Sequence, residues 1–388
     1  MNSENLKIGK YIMQPQGFRA FVPNPFPPAQ DITLEPKLNK KHAQAMLLLG
    51  KLNGISRLLP DHDYFLEMFV RKDASESSQI EGTQASMIDA IAAANIDRSS
   101  NLPVDVDDIL HYIDALNYGL ARSKNFPFTL RFICELHNKL MTDVRSTHLA
   151  YPGEFRRTQN WIGGTRPDNA RFVPPPIEEM NRALGDFEKF IHADDNYLPL
   201  IKAALLHAQF ETIHPFIDGN GRTGRMIITM YLCNSGILEF PALYLSSYFK
   251  KYRDVYYERL QSYQSENSDV CSWLDFFLDG VIEISKSSIN ICEKIVELRE
   301  RDLSKVEKLG KKTAAAAVNV LKNLYRVPAI GIAEVISWSG YASKQSAYSL
   351  VKTLTDERIL YQLNENENYG KKYIYKDYVA LFNGDSSL

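Results

Sequence analysis

Paired cysteines are missing from this 388-residue chain: Cys134, Cys233, Cys271 and Cys292 stand far apart with no CxxC spacing. That spacing argues against a zinc ribbon or a disulfide framework and predicts core thiols. None of the eight histidines forms an HxxxH or HxE pair, so a helix-borne zinc motif is absent too; His207 is expected to pack rather than to bind metal. Nowhere do about eighteen apolar residues run together, and Met1 to Phe26 has no charged-then-apolar leader. The expectation is a cytoplasmic protein with no membrane partner. Charge of one sign is also lacking, with 45 Lys and Arg against 47 Asp and Glu, which argues against a surface dedicated as a whole to nucleic acid or lipid. What remains, with 45% hydrophobic residues, is a globular chain long enough for two or three domains.

The densest chemistry lies in His214-Pro215-Phe216-Ile217-Asp218-Gly219-Asn220-Gly221-Arg222-Thr223-Gly224-Arg225. Apolar residues at helical spacing precede it (Ile201, Ala204, Leu205, Ala208) and follow it (Met226 to Leu232), so the string is read as a loop between two helices. Asp218 to Gly221 tolerate turn and left-handed conformations, which lets successive N–H groups point into one concavity. That concavity abuts a helix expected to open near Arg222, where free amides and the helix dipole favour an anion. Arg222 and Arg225, three apart, offer forked donors to phosphate oxygens. Asp218 supplies a hard oxygen suited to Mg²⁺ when phosphates share the ion. His214, beside the rigid Pro215, is placed to take a proton from a hydroxyl. Phe216 is expected to pin the loop to the core. The set reads as nucleotidyl or phosphoryl transfer.

At these residues the chain resembles the Fic family, whose HPFxDGNGRxxR signature it matches in full. The resemblance implies a mainly α fold, a Fic helical core with a β-hairpin flap, and transfer of AMP from ATP to a hydroxyl side chain of a target protein, with self-modification as a further outcome. It implies His214 as general base, Asp218 as Mg²⁺ ligand, Gly219, Asn220 and Gly221 as the anion nest, and Arg222 and Arg225 as contacts to the β- and γ-phosphates.

Upstream, Ser77-Ser-Gln-Ile-Glu81-Gly82 fits the (S/T)xxxE(G/N) inhibitory motif of the same family. A carboxylate reaching Arg225 would occupy the place of the γ-phosphate. Between the two motifs, the stretch from Gly153 through Arg156, Asn160, Trp161 and Phe172 to Pro174 places short β-type runs around Gly163-Gly164. This predicts a tight hairpin; in the family a flap in this position docks the target segment by β-type pairing.

A Pro-rich lead (Pro23 to Pro36) precedes helices expected over residues 38–59, 63–80, 87–95, 105–123 and 130–144. After the flap come 177–193, 199–213, 222–234, 243–262 and 270–309. The 243–262 helix carries Tyr244, Tyr248, Tyr252, Tyr256 and Tyr257, and spacing does not say which of them face a nucleotide. From residue 310 the order helix, helix, turn at Gly340, helix, two strands resembles a winged helix-turn-helix, with 343–354 as recognition helix. Lys344, Gln345, Ser346, Lys371 and Lys372 are candidate DNA contacts, opposed by Glu365 and Glu367; the domain's excess of basic residues is only three. The expected division is 1–100 N-terminal helical region with the inhibitory motif, 101–265 catalytic core, 266–309 connecting helix and 310–388 winged-helix-like domain. Three readings stay open: an autoinhibited protein adenylyltransferase, an enzyme that removes AMP with Glu81 orienting water, and a DNA-binding regulator. A homo-oligomer controlling Glu81 is suggested by the resemblance alone.

Overall fold

The computed structural model describes residues 7–28, 34–59, 62–93, 102–142, 151–363 and 370–383. The wing residues Glu365 and Glu367 and the expected helix ends at Asn95 and Val144 lie outside them.

The first described element is a β-hairpin, β1 (Gly9–Met13) and β2 (Arg19–Pro23), in antiparallel register with Gly9 opposite Pro23. Helices α1 (Pro36–Leu58), α2 (His62–Ile80), α3 (Met87–Ala93), α4 (Val104–Arg122) and α5 (Leu130–Met141) follow. Pro at the first helical position starts α1, where its missing N–H costs nothing; Thr129 caps α5 by accepting from the Phe132 amide. Next come α6 (Ile177–His192), α7 (Pro199–Ile213), α8 (Asn220–Asn234), α9 (Ser246–Lys251), α10 (Arg253–Tyr263) and the 38-residue α11 (Val270–Glu307).

The core is built around α7 and α8. Every residue of α7 from Leu200 to Ile213 is buried, as is α8 from Arg222 to Leu232. A helix covered all round must itself be the interior, with neighbours on each face. The two cross at Gly224, whose carbonyl accepts from His207 Nδ1 at 2.9 Å; His207 Nε2 meets the Tyr256 hydroxyl at 2.9 Å. His207 is thus a packed, bonded core residue, and burial pushes its ring down to about 3. Trp273 of α11 donates to the Ala204 carbonyl at 2.9 Å and ties the long helix to the same centre.

One expectation needs correction here. The single helix over 243–262 is broken at Tyr252, where φ of −114° and ψ of 41° separate α9 from α10. The four cysteines are free, with Cys292 inside the core and Cys134, Cys233 and Cys271 half-buried against it.

Beyond α11 lie α12 (Lys311–Leu324), β3 (Ala329–Ile330), α13 (Ile332–Ser339), α14 (Lys344–Asp356), β4 (Tyr361–Gln362), β5 (Tyr373–Ile374) and α15 (Lys376–Asn383). The three strands form an antiparallel sheet in the order β3-β5-β4. Ala347, Leu350, Val351 and Leu354 give α14 a buried face, while Lys344, Gln345, Ser346 and Tyr348 are exposed. This unit rests on α11 and α2. Tyr375 donates to the buried Asp302 at 2.7 Å, Phe65 packs on Tyr325 and Phe69 on Phe382, and Lys72 donates to the Phe382 carbonyl at 2.6 Å.

Candidate active site

Helix α7 ends because His214 turns left-handed, with φ 48° and ψ 59°. That conformation costs a non-glycine residue on the order of 1 kcal/mol and persists only when its surroundings hold it. Arg156 Nε and Asn160 Nδ2 donate to the His214 carbonyl at 3.0 and 3.3 Å. The Arg156 amide donates to Pro215 O at 2.8 Å, and Asn160 also reaches Phe216 O at 2.9 Å. Arg156 is buried, and its guanidinium donates only to main-chain carbonyls, those of His214, Thr158 and Pro175; burial lowers it to about 10.

The rest of the loop closes on itself. Asn220 accepts from the Phe216 amide and donates to the Phe216 carbonyl, both at 2.8 Å. His137 of α5 stacks on the Phe216 ring with centroids 3.7 Å apart and planes 2° from parallel. Its Nδ1 accepts from the Gly153 amide, so its Nε2–H donates to Asp218 O, each at 2.9 Å. Burial lowers this ring to about 4 and keeps it neutral. Gly219 adopts φ 76°, and a Cβ there would stand 2.8 Å from Met141 Sδ; only glycine meets both demands.

Helix α8 begins at Asn220, not near Arg222 as expected, because the Asn220 side chain satisfies the loop and frees its backbone to enter the helix. Gly221 and its neighbours therefore form the helix N-terminus itself, the natural place for an anion. Arg222 and Arg225 diverge from there. Arg222 Nη1 is 3.6 Å from Asp108 of α4, Nη2 touches Met141 Sδ, and its buried Nε has no hydrogen-bond partner. Arg225 turns towards the last turn of α2 and the residue just beyond it. Its Nε donates to Ser77 Oγ at 2.8 Å, and its Nη2 to Ser77 O at 3.0 Å and to Glu81 Oε1 at 2.6 Å.

Glu81 lies immediately after α2, before Gly82 at φ 111°. Its carboxylate also covers the helix N-terminus, where a Cβ added to Gly221 would overlap Glu81 Oε1. Burial opposes its charge, but the Arg225 guanidinium prevails and holds the carboxyl below the usual carboxylate range. The sequence thus brought Ser77, Glu81, Gly221 and Arg225 to one place. Asp218 is exposed at the edge of the loop, and its Oδ1 accepts from the Gly219 amide at 2.6 Å. One hard carboxylate beside an anion cradle fits Mg²⁺, which takes few protein ligands and shares phosphate oxygens.

His214, Glu211, Glu81, Gly221 and Arg225 line a cavity of about 470 Å³ whose far wall is Tyr256, Tyr257, Leu260 and Gln261. Those two tyrosines of the stripe face it, while Tyr244 and Tyr248 pack in the core. Burial lowers the His214 ring to about 4, with Arg156 adding to the effect. Trp161, Ile162, Gly163 and Phe172 form the rim. The expected tight turn at Gly163-Gly164 is instead a nine-residue loop closed by a single antiparallel bridge, Ile162 to Phe172, and containing a 3-10 turn at Pro167–Asn169. Gly163 and Gly164 do adopt φ 69° and 73°, but Gly164 packs against Asn169, whose side chain accepts from Thr165 and Arg166 and organises the longer loop. The return arm is anchored by the Phe21 amide of β2, which donates to Val173 O at 2.9 Å.

Sequence reasoning missed His137, Arg156, Asn160, Asp108 and Glu211 as parts of the site. Arg156 and Asn160 lay in a polar string read only as a hairpin arm; His137 carried no local signal.

Comparison with known proteins agrees with this geometry. Residues 39–121 match the Fic/DOC family N-terminal region and residues 127–232 the Fic/DOC family itself. Protein adenylyltransferase Fic of Culex quinquefasciatus is 29% identical over 192 residues, 49% of this chain and 34% of that protein. The protein of the same name in Drosophila yakuba is 25% identical over 240 residues, 61% and 44% of the two chains. The chain thus spans less than half the length of these curated relatives. A Fic family protein from Desulfovibrio desulfuricans G20 superposes with a TM-score of 0.56 at 15% identity, covering 88% of this chain and 97% of the other. Fic-1 from C. elegans gives 0.51 at 20% identity, covering 68% and 74%; both likenesses speak to the fold. Helical core, signature loop and both family matches agree, and residues 39–121 and 127–232 of this chain are the N-terminal and main regions of the Fic/DOC family.

Proposed function

We propose that the chain is a protein adenylyltransferase that moves AMP from ATP to a hydroxyl side chain of a target protein and is held off by its own Glu81. The observation that carries this reading is the seat of Glu81, whose carboxylate holds Arg225 at 2.6 Å over the N-terminus of α8. A polyphosphate and this carboxylate compete for the same donors.

With Glu81 displaced, the β- and γ-phosphates lie along the α8 amides, Arg222 and Arg225. The adenosine extends into the cavity towards Tyr256 and Tyr257. His214 takes the proton of the target hydroxyl, whose oxygen bonds to the α-phosphorus as the bond to the β-phosphate oxygen breaks and diphosphate leaves. Mg²⁺ bound through Asp218 would neutralise phosphate charge. Trp161 and Gly163, on either side of the Ile162–Phe172 bridge, would present main chain for a target segment to pair with. The C-terminal unit is read as a winged helix whose exposed α14 face, with Lys344, Gln345 and Ser346, meets DNA or protein.

The test is label incorporation from α-³²P-ATP with Mg²⁺, into the protein and into a cell lysate, for wild type, Glu81→Gly and Glu81→Gly/His214→Ala. Strong labelling in Glu81→Gly that vanishes in the double variant is expected. Folded protein with no labelling in any of the three would reject the reading.

A further inference from the structure

Glu211 is a buried carboxyl that the reaction above leaves unused. It lies one turn before His214 on α7, lines the same cavity, and its Oε1 has no hydrogen-bond partner. His214 Nδ1 is also buried without a well-formed hydrogen bond, and Glu211 Oε2 lies 3.9 Å from it. Glu211 thus brings one oxygen to within 4 Å of the imidazole while its other oxygen, Oε1, has no partner, and a buried polar atom left so is costly unless a change of state gives it one. A rotamer adjustment of either side chain closes that gap.

The chemistry demands such a partner. For His214 to accept a hydroxyl proton at Nε2, its own proton must sit on Nδ1, and something must receive that N–H and balance the positive ring. We infer that Glu211 is the positioning residue of this site: it holds the Nδ1 proton of His214 and, when ionised, stabilises the imidazolium formed as the target hydroxyl gives up its proton to Nε2. The proton stays on His214 until product leaves, and Glu211 gains none. The inference rests on the adenylyltransferase reading, which makes His214 a base.

The surroundings set the ionisation of Glu211. Burial drives its carboxyl up, to about 8; Arg225 on α8 opposes this and Glu81 adds to it. Tyr256 on α10 also faces it. His214 in turn feels Arg156, the main-chain carbonyl of Glu211, Glu81 and Asp218. Glu81 thus acts twice, covering Arg225 and keeping Glu211 protonated. Removing Glu81 lets Arg225 draw the Glu211 titration below 8.

Two measurements on the full chain test this. In the Glu81→Gly background, kcat/KM for AMP transfer is expected to rise with pH through a limb at or below 8. Adding Glu211→Gln should abolish that limb and lower the plateau about tenfold with KM for ATP unchanged, and Glu211→Asp should restore part of the limb. Independently of activity, the ring ¹⁵N shifts of His214 in the wild-type chain should show Nδ1 protonated and a step near pH 8 that Glu211→Gln removes. A Glu211→Gln variant that keeps both the limb and the step overturns the inference. If Glu81→Gly transfers no AMP, the adenylyltransferase reading fails, and the ¹⁵N titration still decides whether Glu211 and His214 are coupled.

Discussion

Glu81 Oε1 and Arg225 Nη2 are 2.6 Å apart across 144 positions of sequence. The carboxylate is 40% exposed, whereas the guanidinium is 2% exposed. The pair is therefore an exposed, replaceable anion set on a buried, permanent cation. Such an arrangement favours exchange over rigidity, because the anion can return to water while the cation cannot.

Glu81→Gly should tighten binding of ATP by roughly tenfold, the scale of one charge-assisted hydrogen bond on a partly exposed group. Calorimetric titration of a non-hydrolysable ATP analogue into wild type and variant checks this. Equal affinities would detach the Glu81 contact from nucleotide binding.

Replacing Arg156 by Ala removes donors to three carbonyls at once, those of His214, Thr158 and Pro175. The loss should cost about 2–4 kcal/mol of stability. Arg156→Lys keeps charge without the fork, so it should retain more stability yet lower AMP transfer at least tenfold. Chemical unfolding alongside label incorporation separates the two effects.

At Gly224 a Cβ would overlap Glu211 Oε1 and lie 3.2 Å from the Phe210 ring. Gly224→Ala should therefore push α7 from α8 and destabilise the protein by about 1–3 kcal/mol, as overpacking does. A lower melting temperature is the readout. Gly185→Ala serves as the control, since nothing lies within 4 Å of a Cβ there.

Acid should weaken the fold before carboxylates of ordinary pKa titrate. His137 and His214 are lowered to about 4 and His207 to about 3, each chiefly by burial. A histidine depressed in the folded state takes its proton more readily when unfolded, so stability is intact above the ordinary value near 6.5 and falls as pH drops towards 4. Each such ring contributes up to about 1.4 kcal/mol per pH unit in that window. Calorimetry from pH 7.5 to 4.5 should show a falling melting temperature, and His207→Phe should flatten part of the slope.

The signature loop was legible because its demands are local: a left-handed turn, a nest and two cations fit within a dozen consecutive residues. The Glu81–Arg225 contact was legible only through the family resemblance, since a six-residue SxxxEG string by itself points to no particular arginine. What supports the loop was not. His137 reaches Asp218 across 81 positions and Arg156 reaches His214 across 58, and neither residue type marks such a role where it stands. Glu211 was hidden in the apolar spacing of α7, which explains the helix without explaining a carboxyl inside it. The β1–β2 hairpin was overlooked in an N-terminal stretch scanned only for a leader, and the break at Tyr252 left no proline or glycine to betray it. At the rim, Gly163-Gly164 suggested a two-residue turn, but Asn169 offers both neighbouring amides an acceptor and stabilises a longer one.

Helix α2 is a party wall. On one side Phe65 and Phe69 are wedged among Tyr325, Tyr378 and Phe382 of the C-terminal unit. On the other, Asp73 accepts from the Tyr112 hydroxyl and the Ser246 amide. A rod mortared on both faces does not slide, so withdrawal of Glu81 is expected in the stretch beyond Ser77, with Gly82, at φ 111°, as its pivot. If Glu81 is the catch proposed above, it has a throw of about one helical turn, roughly 5 Å, and whatever trips it need move no more of the protein than that.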